Sequence, residues 1–356
     1  MEILDLTLVN FRNFSAKKIT FDKNLPAGRQ VLTVIIGPNG AGKSNILEAV
    51  ALICGNRPQR VDTDLDLVNF GKSEAKVEGK IALNGDRKIL TINFLVVDEL
   101  HIKKSYLIDD LKKRFADFMS LLGIVIFHPE DLDLVIGSPS DRRHHLDSIL
   151  SSSSRDYWRN ISAYNKIVVR RNRVLARIAE GKAKPMELSF WDSRLLEHGK
   201  FISAKRGEFF EFLNFVEKGD SLRALGELSF ELKESLISAE KLVNNRERDI
   251  AAGMTLSGQH RDDFRFIFKK RDLAFFGSRG EQRMAVLALK LAELEYLKIQ
   301  RGQRPILALD DIFSELDWQH RDAVLSIIGN QQTIITAAEK DSVPKNLLKK
   351  AKVVEL

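Results

Sequence analysis

The first residues alternate. Ile3, Asp5, Thr7 and Val9 fall on one side of an extended chain and Leu4, Leu6 and Leu8 on the other, which predicts a strand. Asn10 to Asn13 reads as a turn and Ile19 to Phe21 as a second strand, antiparallel to the first if that turn is tight. Val31 to Ile36 is apolar except for Thr33 and runs straight into glycine-rich sequence, the pattern of a parallel strand buried on both faces. Ser44 to Ile53 has helical character. Residues 75–97 alternate on either side of Asn84-Gly85-Asp86, a hairpin signal. From Asp109 to about Leu242 the helical period takes over, with helices expected over Leu111 to Phe118, Asp141 to Leu150, Tyr157 to Ile178 and Trp191 to Phe215. After Leu273 the mixed pattern returns: a long helix from Ser278 to Lys298, a buried strand from Ile306 to Leu309, a helix near His320 to Ile328 and a strand from Thr333 to Thr336.

This order predicts an α/β fold assembled from both ends of the chain around a mostly helical insert. The expected division is residues 1–105 with 284–356 as one lobe and 106–283 as the other. The length of 356 residues agrees with two units at roughly 150 residues per domain. Ser151 to Ser154 reads as a short polar joint between helices. No apolar run approaches the ~20 residues needed to span a bilayer, so no membrane association is expected. Residues 1–10 alternate where a signal peptide has a basic head and an apolar block. Cys54 is the single cysteine, which excludes a disulfide framework and a cysteine zinc site and points to a cytoplasmic location; it is expected to be a small buried hydrophobe. The formal charge of +7 permits an acidic partner without requiring one.

Gly37-Pro38-Asn39-Gly40-Ala41-Gly42-Lys43-Ser44 fits G-x-x-x-x-G-K-[ST] and lies between the buried strand and a helix, the context a phosphate loop requires. The glycines let backbone N–H groups turn inward around a β-phosphate, and the helix N-terminus adds a favourable dipole. Lys43 would reach the β- and γ-phosphates of ATP and the Ser44 hydroxyl would ligate Mg2+. Ile306 to Leu309 ends in Asp310 and Asp311, placing carboxylates at the carboxyl end of a buried strand, where they face a ligand crevice. Asp310 is expected in the Mg2+ shell and Asp311 beside the attacking water. Lys43 and Asp310 are 267 positions apart, much further than in small phosphate-loop kinases and GTPases, so one ATPase fold must contain an insert. Ser278-Arg279-Gly280-Glu281 opens the long helix as a second anion-favouring helix start; the same residues make a capping box of Ser278 and Glu281.

Phosphate loop, S-x-G signature, apolar strand with two aspartates and then Ser314-Glu315-Leu316-Asp317 follow the order of ABC-type ATPase heads. Within that class the chain resembles the RecF family of bacterial recombination mediators. The resemblance is carried by Asn10-Phe11-Arg12-Asn13-Phe14, Pro129-Glu130-Asp131-Leu132, Gly137-Ser138-Pro139 with Arg142-Arg143, Arg171-Asn172, Trp191-Asp192, Gly258 to Asp263, and Asp311 to Asp317. It implies an ATP-dependent homodimer in which Ser278 and Gly280 of one copy meet the γ-phosphate held by Lys43 of the other. Asp317 would cross the interface, and Arg12 and Asn13 would lie near the nucleotide. It also implies DNA binding in repair at gapped or stalled replication sites, mediator partners of the RecR and RecO type, and weak DNA-stimulated ATP hydrolysis. The chain departs from the wider ABC pattern at several places. Asp311 stands where glutamate is usual and is one methylene shorter, so slow hydrolysis is expected. Glu281 replaces the signature glutamine, no switch histidine follows the last strand, and no lobe-linking glutamine can be identified. Gln259 interrupts the usual Gly-Pro-His-Arg run, and a plain turn is expected for Gln259-His260-Arg261.

Lys166, Arg170, Arg173 and Arg177 recur at helical spacing beside Ile167, Val174 and Ile178, so a basic stripe runs along one helix. A solvated face explains such a stripe as well as phosphate contact does; the resemblance favours phosphate. Arg142, Arg143 and Lys269 to Arg271 are weaker candidates. None shows aromatic interleaving in the sequence, so backbone contact with little sequence preference is expected. A transport ATPase would carry a glutamate after Asp310 and a switch histidine, and a chromosome-organising ATPase would need long heptad arms; the chain has neither. A DNA-binding scaffold that binds but barely hydrolyses ATP remains the alternative.

Overall fold

The computed structural model describes residues 1–21, 31–56, 63–215, 227–315, 321, 324, 325, 328 and 330–356. It divides into two compact units, Met1–Asp131 with Leu287–Leu356, and Leu132–Glu217 with Leu225–Val286. The α/β class expected from the sequence is present. The division expected after residue 105 lies instead after Asp131. The reason is Ile124–Phe127, four buried residues that form a strand of the first unit's parallel sheet.

Strands are numbered β1–β14 along the chain. In the first unit an antiparallel sheet has the order β2 (Phe14–Thr20), β1 (Glu2–Phe11), β4 (Glu74–Leu83), β5 (Asp86–Val96), β6 (Ile102–Ile108) and β7 (Leu111–Lys113). A second sheet, parallel throughout, has the order β14 (Lys352–Glu355), β3 (Leu32–Ile36), β13 (Thr333–Ala337), β12 (Ile306–Asp310) and β8 (Ile124–Phe127). The three central strands β3, β13 and β12 are buried along their whole length, which is why they read as continuous apolar runs. Helix α1 (Lys43–Ile53) packs against strands of both sheets and is buried on nearly every side. Its closeness to β4 explains Gly79: a Cβ there would lie 2.8 Å from the Ile53 side chain. The helix expected over Leu111 to Phe118 is divided. Asp109 and Asp110, both with positive φ (50° and 62°), turn the chain from β6 into β7, and only α2 (Phe115–Phe118) is helical. That is the geometry of a two-residue hairpin turn, for which aspartate is a suitable residue.

The second unit contains α3 (Asp133–Ile136), α4 (Pro139–Ser153), α5 (Arg155–Ala179), α6 (Leu188–Phe215), α7 (Ala239–Asn244), α8 (Arg246–Ala252) and α9 (Leu273–Phe276). The joint expected over Ser151 to Ser154 is shorter than that: Ser151 to Ser153 continue α4, and Ser154 alone ends it, its hydroxyl accepting from the Tyr157 N–H to start α5. A three-stranded sheet of β11 (Arg271–Asp272), β10 (Asp263–Phe268) and β9 (Leu228–Lys233), not anticipated from the sequence, buries Leu228, Phe230, Phe264, Phe266 and Phe268 on one side. Helix α10 (Arg279–Arg301) starts in this unit and ends in the first, and α11 (Ile312–Glu315) follows β12.

Two buried arginines tie the second unit together. Arg171 on α5 donates to Asp192 and Asp249, at 2.8 Å each, and to Thr255. Arg206 on α6 donates to Asp262 (2.6 Å), Asp147 (2.7 Å), the Gln259 carbonyl and the Tyr157 hydroxyl. Removing one partner of such a pair costs about 3–5 kcal/mol, because the other charge stays buried. The Gln259–Arg261 segment, for which a plain turn was expected, is a single turn of 3-10 helix with a buried Gln259, and its side chains are engaged. Gln259 donates to Ser203, while the His260 ring sits 3.0 Å from both the Tyr164 hydroxyl and the Thr255 carbonyl.

Candidate functional site

The phosphate-loop sequence connects β3 to α1 as expected. Gly40 and Gly42 take positive φ (84° and 98°), and a Cβ on Gly42 would meet the Phe14 ring at 2.5 Å and the Asn13 amide at 2.7 Å. Only glycine lets the turn pass that close. Lys43 is buried and its Nζ donates to the carbonyls of Gly37 (2.6 Å) and Pro38 (3.1 Å), so the ammonium is drawn under the loop. Asn13 donates to the Ala41 carbonyl and accepts from Asn45. Arg12, at positive φ, forms a two-pronged ion pair with Glu48 of α1 at 2.7 and 2.9 Å. The turn after β1 is thereby fastened to the loop and to the helix behind it.

Asp310 ends β12 and is 3% exposed. Its Oδ1 accepts from Thr336 Oγ1 (2.7 Å) and Ser44 Oγ (3.2 Å), and its Oδ2 lies 3.4 Å from His128 Nδ1. Burial pushes the carboxyl upward, but the hydrogen bonds from His128, Thr336 and Ser44 outweigh it and hold the group at about 2. The charge is therefore fixed at any physiological pH. Ser44 Oγ and Asp310 Oδ1 are a hydroxyl and a carboxylate oxygen side by side, the hard donors that suit Mg2+. Asp311 comes next, in the left-handed region (φ 49°), its N–H held by Thr336 Oγ1. Its carboxylate has no hydrogen-bond or ion-pair partner among the described residues.

His128 and Thr336 were not singled out from the sequence. His128 follows β8, so recognising that strand would have put it at the same sheet edge as Asp310. Its backbone is clamped in turn: Asp131 Oδ2 accepts from the His128 N–H (2.7 Å), and Asp131 Oδ1 meets Lys290 of α10 at 3.2 Å. Thr336 lies within β13, in the strand expected from Thr333 to Thr336, which runs one residue further to Ala337.

In the second unit, Ser278, Arg279 and Gly280 are exposed at the start of α10. The capping box forms: Ser278 N–H and Oγ both donate to Glu281 at 2.8 Å, and the Glu281 N–H donates to Ser278 Oγ. Hydrogen bonds from the Ser278 backbone and hydroxyl lower the Glu281 carboxyl. Asp317 lies outside the described residues, as does most of the helix expected near His320 to Ile328. Lys166, Arg170, Arg173 and Arg177 are all exposed along α5. Arg142 and Arg143 are spoken for: Arg142 forks onto Asp263 (2.7 and 3.1 Å) and Arg143 donates to the Asp262 carbonyl. Buried and paired, Arg142 holds α4 to β10, which overturns its candidacy for phosphate contact, whereas Arg143 is half-buried with a single bond to a carbonyl. Cys54 is buried, as expected, and burial pushes its thiol up to about 12.

A family model described as RecF/RecN/SMC N terminal domain matches residues 2–354. The DNA replication and repair protein RecF of Moorella thermoacetica is 36% identical over 363 residues, spanning 100% of this chain and 95% of that protein. The chain belongs to the RecF family. The RecF of Bacillus cytotoxicus is 32% identical across 100% of this chain and 97% of its own length. The solved structure of the recombination mediator protein RecF with ATPrS, in the RecFOR pathway, has a TM-score of 0.83 at 27% identity over 96% of this chain and 94% of that one. A RecF–ATP structure matches equally, at 28% identity. An Smc head domain with an extended coiled coil from Pyrococcus furiosus shares the fold alone, at a TM-score of 0.51 and 16% identity over 99% of this chain and 92% of that one. In this RecF-family chain, no helix among the described residues is long and apolar enough to cross a membrane.

Proposed function

We propose that this chain is an ATP-dependent DNA-binding switch of a recombination mediator, acting in recombinational repair and the processing of replication gaps. The observation that carries the reading is the convergence of Lys43, Ser44 and Asp310 at the carboxyl edge of the parallel sheet, beside an Asp311 carboxylate with no partner among the described residues, in a chain whose serine-led α10 tip is exposed. Gly37 to Ser44 wrap the triphosphate of ATP, with Lys43 swinging from the loop carbonyls to the β- and γ-phosphates. Arg12 and Asn13 fix the loop and flank the nucleotide. Mg2+ bound by Ser44 and Asp310 neutralises phosphate charge when present. Asp311 orients the attacking water, and its short side chain keeps turnover slow. Ser278 and Gly280 of a second copy cap the γ-phosphate, and Asp317 lies at that seam. Two half-sites far apart in one chain are thus joined across a two-fold axis. The basic stripe Lys166, Arg170, Arg173 and Arg177 contacts DNA phosphates, and mediator partners of the RecO and RecR type complete the assembly.

Sedimentation with ATP, ADP or no nucleotide, with and without gapped DNA, tests this reading. ATP is expected to produce a dimer that ADP does not. Lys43→Ala is expected to abolish it, and Asp311→Asn to preserve it while reducing turnover about 100-fold or more, as expected for a group acting on the reacting water. If neither substitution alters dimerisation or turnover, the switch fails. If the dimer forms and only turnover is undetectable in the unmodified chain, the scaffold alternative holds.

A further inference from the structure

The basic stripe of α5 is not alone on its face. The sequence places no aromatic residue within it, but the packing of α6 against α5 does. The Arg170 guanidinium lies 5.7 Å from the centroid of the Trp191 ring, and the Phe190 ring meets Trp191 edge-on at 5.0 Å and 82°. Phe190 is 61% exposed, and Met186, just before α6, is exposed as well. Among the described residues no carboxylate pairs with Lys166, Arg170, Arg173 or Arg177. The nearby acids are largely neutralised: Asp192 is held by Arg171 and Arg246, Glu197 by Arg194 and Glu180 by Lys182. Glu187 is the exposed exception, its carboxylate accepting from the Lys184 N–H.

We propose that Phe190, with Trp191 and Arg170, is a base-stacking step for single-stranded nucleic acid, and that the α5 stripe tracks the strand's phosphates. This rests on the DNA-binding reading above and narrows it to one form of DNA. Cations on one helix face with no carboxylate beside them select a polyanion. The aromatic ring next to them selects one whose bases are free: in a duplex each base face is covered by its neighbours, whereas a single strand can lay a base on Phe190 or on the guanidinium plane. Trp191 contacts both Phe190 and Arg170, so the ring and the guanidinium are already gathered at one place before a base docks.

The test uses the full chain, an oligo-dT single strand and a blunt duplex of equal phosphate number. The single strand is expected to change tryptophan emission, and Phe190→Ala to weaken its binding about fivefold or more, with duplex affinity altered less than twofold. Phe190→Tyr keeps a ring and is expected to restore single-strand affinity. Because Phe190 is exposed, the alanine variant should melt as the unmodified chain does. Equal weakening of both DNA forms by Phe190→Ala, or of neither, overturns the stacking step and leaves the DNA-binding reading standing. So does competition by poly-glutamate as effective as that of oligo-dT, which would mark the face as a site for an acidic protein. An unmodified chain that binds neither DNA overturns both.

Discussion

At the scale of single residues the signature helix holds an electrostatic conflict. Ser278 and Gly280 stand at the end of α10 whose dipole suits an anion, yet Glu281 sits beside them. It is kept ionised by the hydrogen bonds from Ser278 that lower its carboxyl. A carboxylate at a helix N-terminus stabilises that helix by about 0.3–1 kcal/mol, and in the proposed dimer the same charge would repel a γ-phosphate arriving from a second copy. The two effects separate on substitution. Glu281→Gln retains a capping-box side chain and is expected to lower thermal stability slightly while tightening the ATP-dependent dimer severalfold. Thermal melts and sedimentation in ATP read the two quantities independently. A dimer weakened along with the melt would mean that Glu281 serves the cap alone, and that no phosphate approaches it.

At the scale of elements, the second unit depends on polar side chains buried between α5, α6 and the Gln259–Arg261 turn. His260 is one of them. Burial lowers its pKa below the ordinary value, and its two neighbours agree: the Thr255 carbonyl requires a proton on Nε2, leaving Nδ1 to accept from the Tyr164 hydroxyl. The folded unit therefore holds the neutral ring, and the unfolded chain takes the proton first, near about pH 6.5. Its contribution is present above that pH and is lost as pH falls toward the lowered folded value. His260→Gln, which cannot take the proton, is expected to be less stable at pH 8 but to lose stability less steeply between pH 6.5 and 5. Urea midpoints at three pH values measure both. Much of this was hidden in the sequence, and the reason is distance along the chain. The phosphate loop, α1 and the two long helices are specified by neighbouring residues and were legible. Ile124–Phe127 resembled any short apolar run until its pairing with β12 was known. His128, Thr336 and the Arg170–Trp191 contact exist only because remote segments meet. Arg142 appeared free because its partner, Asp263, is 121 positions away.

For the whole molecule, the proposed switch is a statement about coupling, and coupling obeys reciprocity. If ATP favours a dimer, and the dimer presents two basic stripes to one strand, DNA must favour ATP binding by the same factor that ATP favours DNA binding. The two factors come from separate measurements: DNA affinity with and without ATP, and ATP affinity with and without DNA, at fixed protein concentration because dimerisation enters both. They are expected to agree, at roughly 5–150-fold. Reducing the stripe with Arg173→Ala and Arg177→Ala should lower the slope of log affinity against log salt by about 0.7 for each phosphate of the single strand that is no longer neutralised. It should leave ATP affinity in the absence of DNA unchanged, since neither residue belongs to the loop proposed to hold the nucleotide. Lys43→Ala should bring the coupling factor to one while the ATP-independent salt slope survives. Two factors of one in the unmodified chain would mean that the nucleotide and the nucleic acid occupy the same protein without reporting to each other, and the switch would have no physical basis.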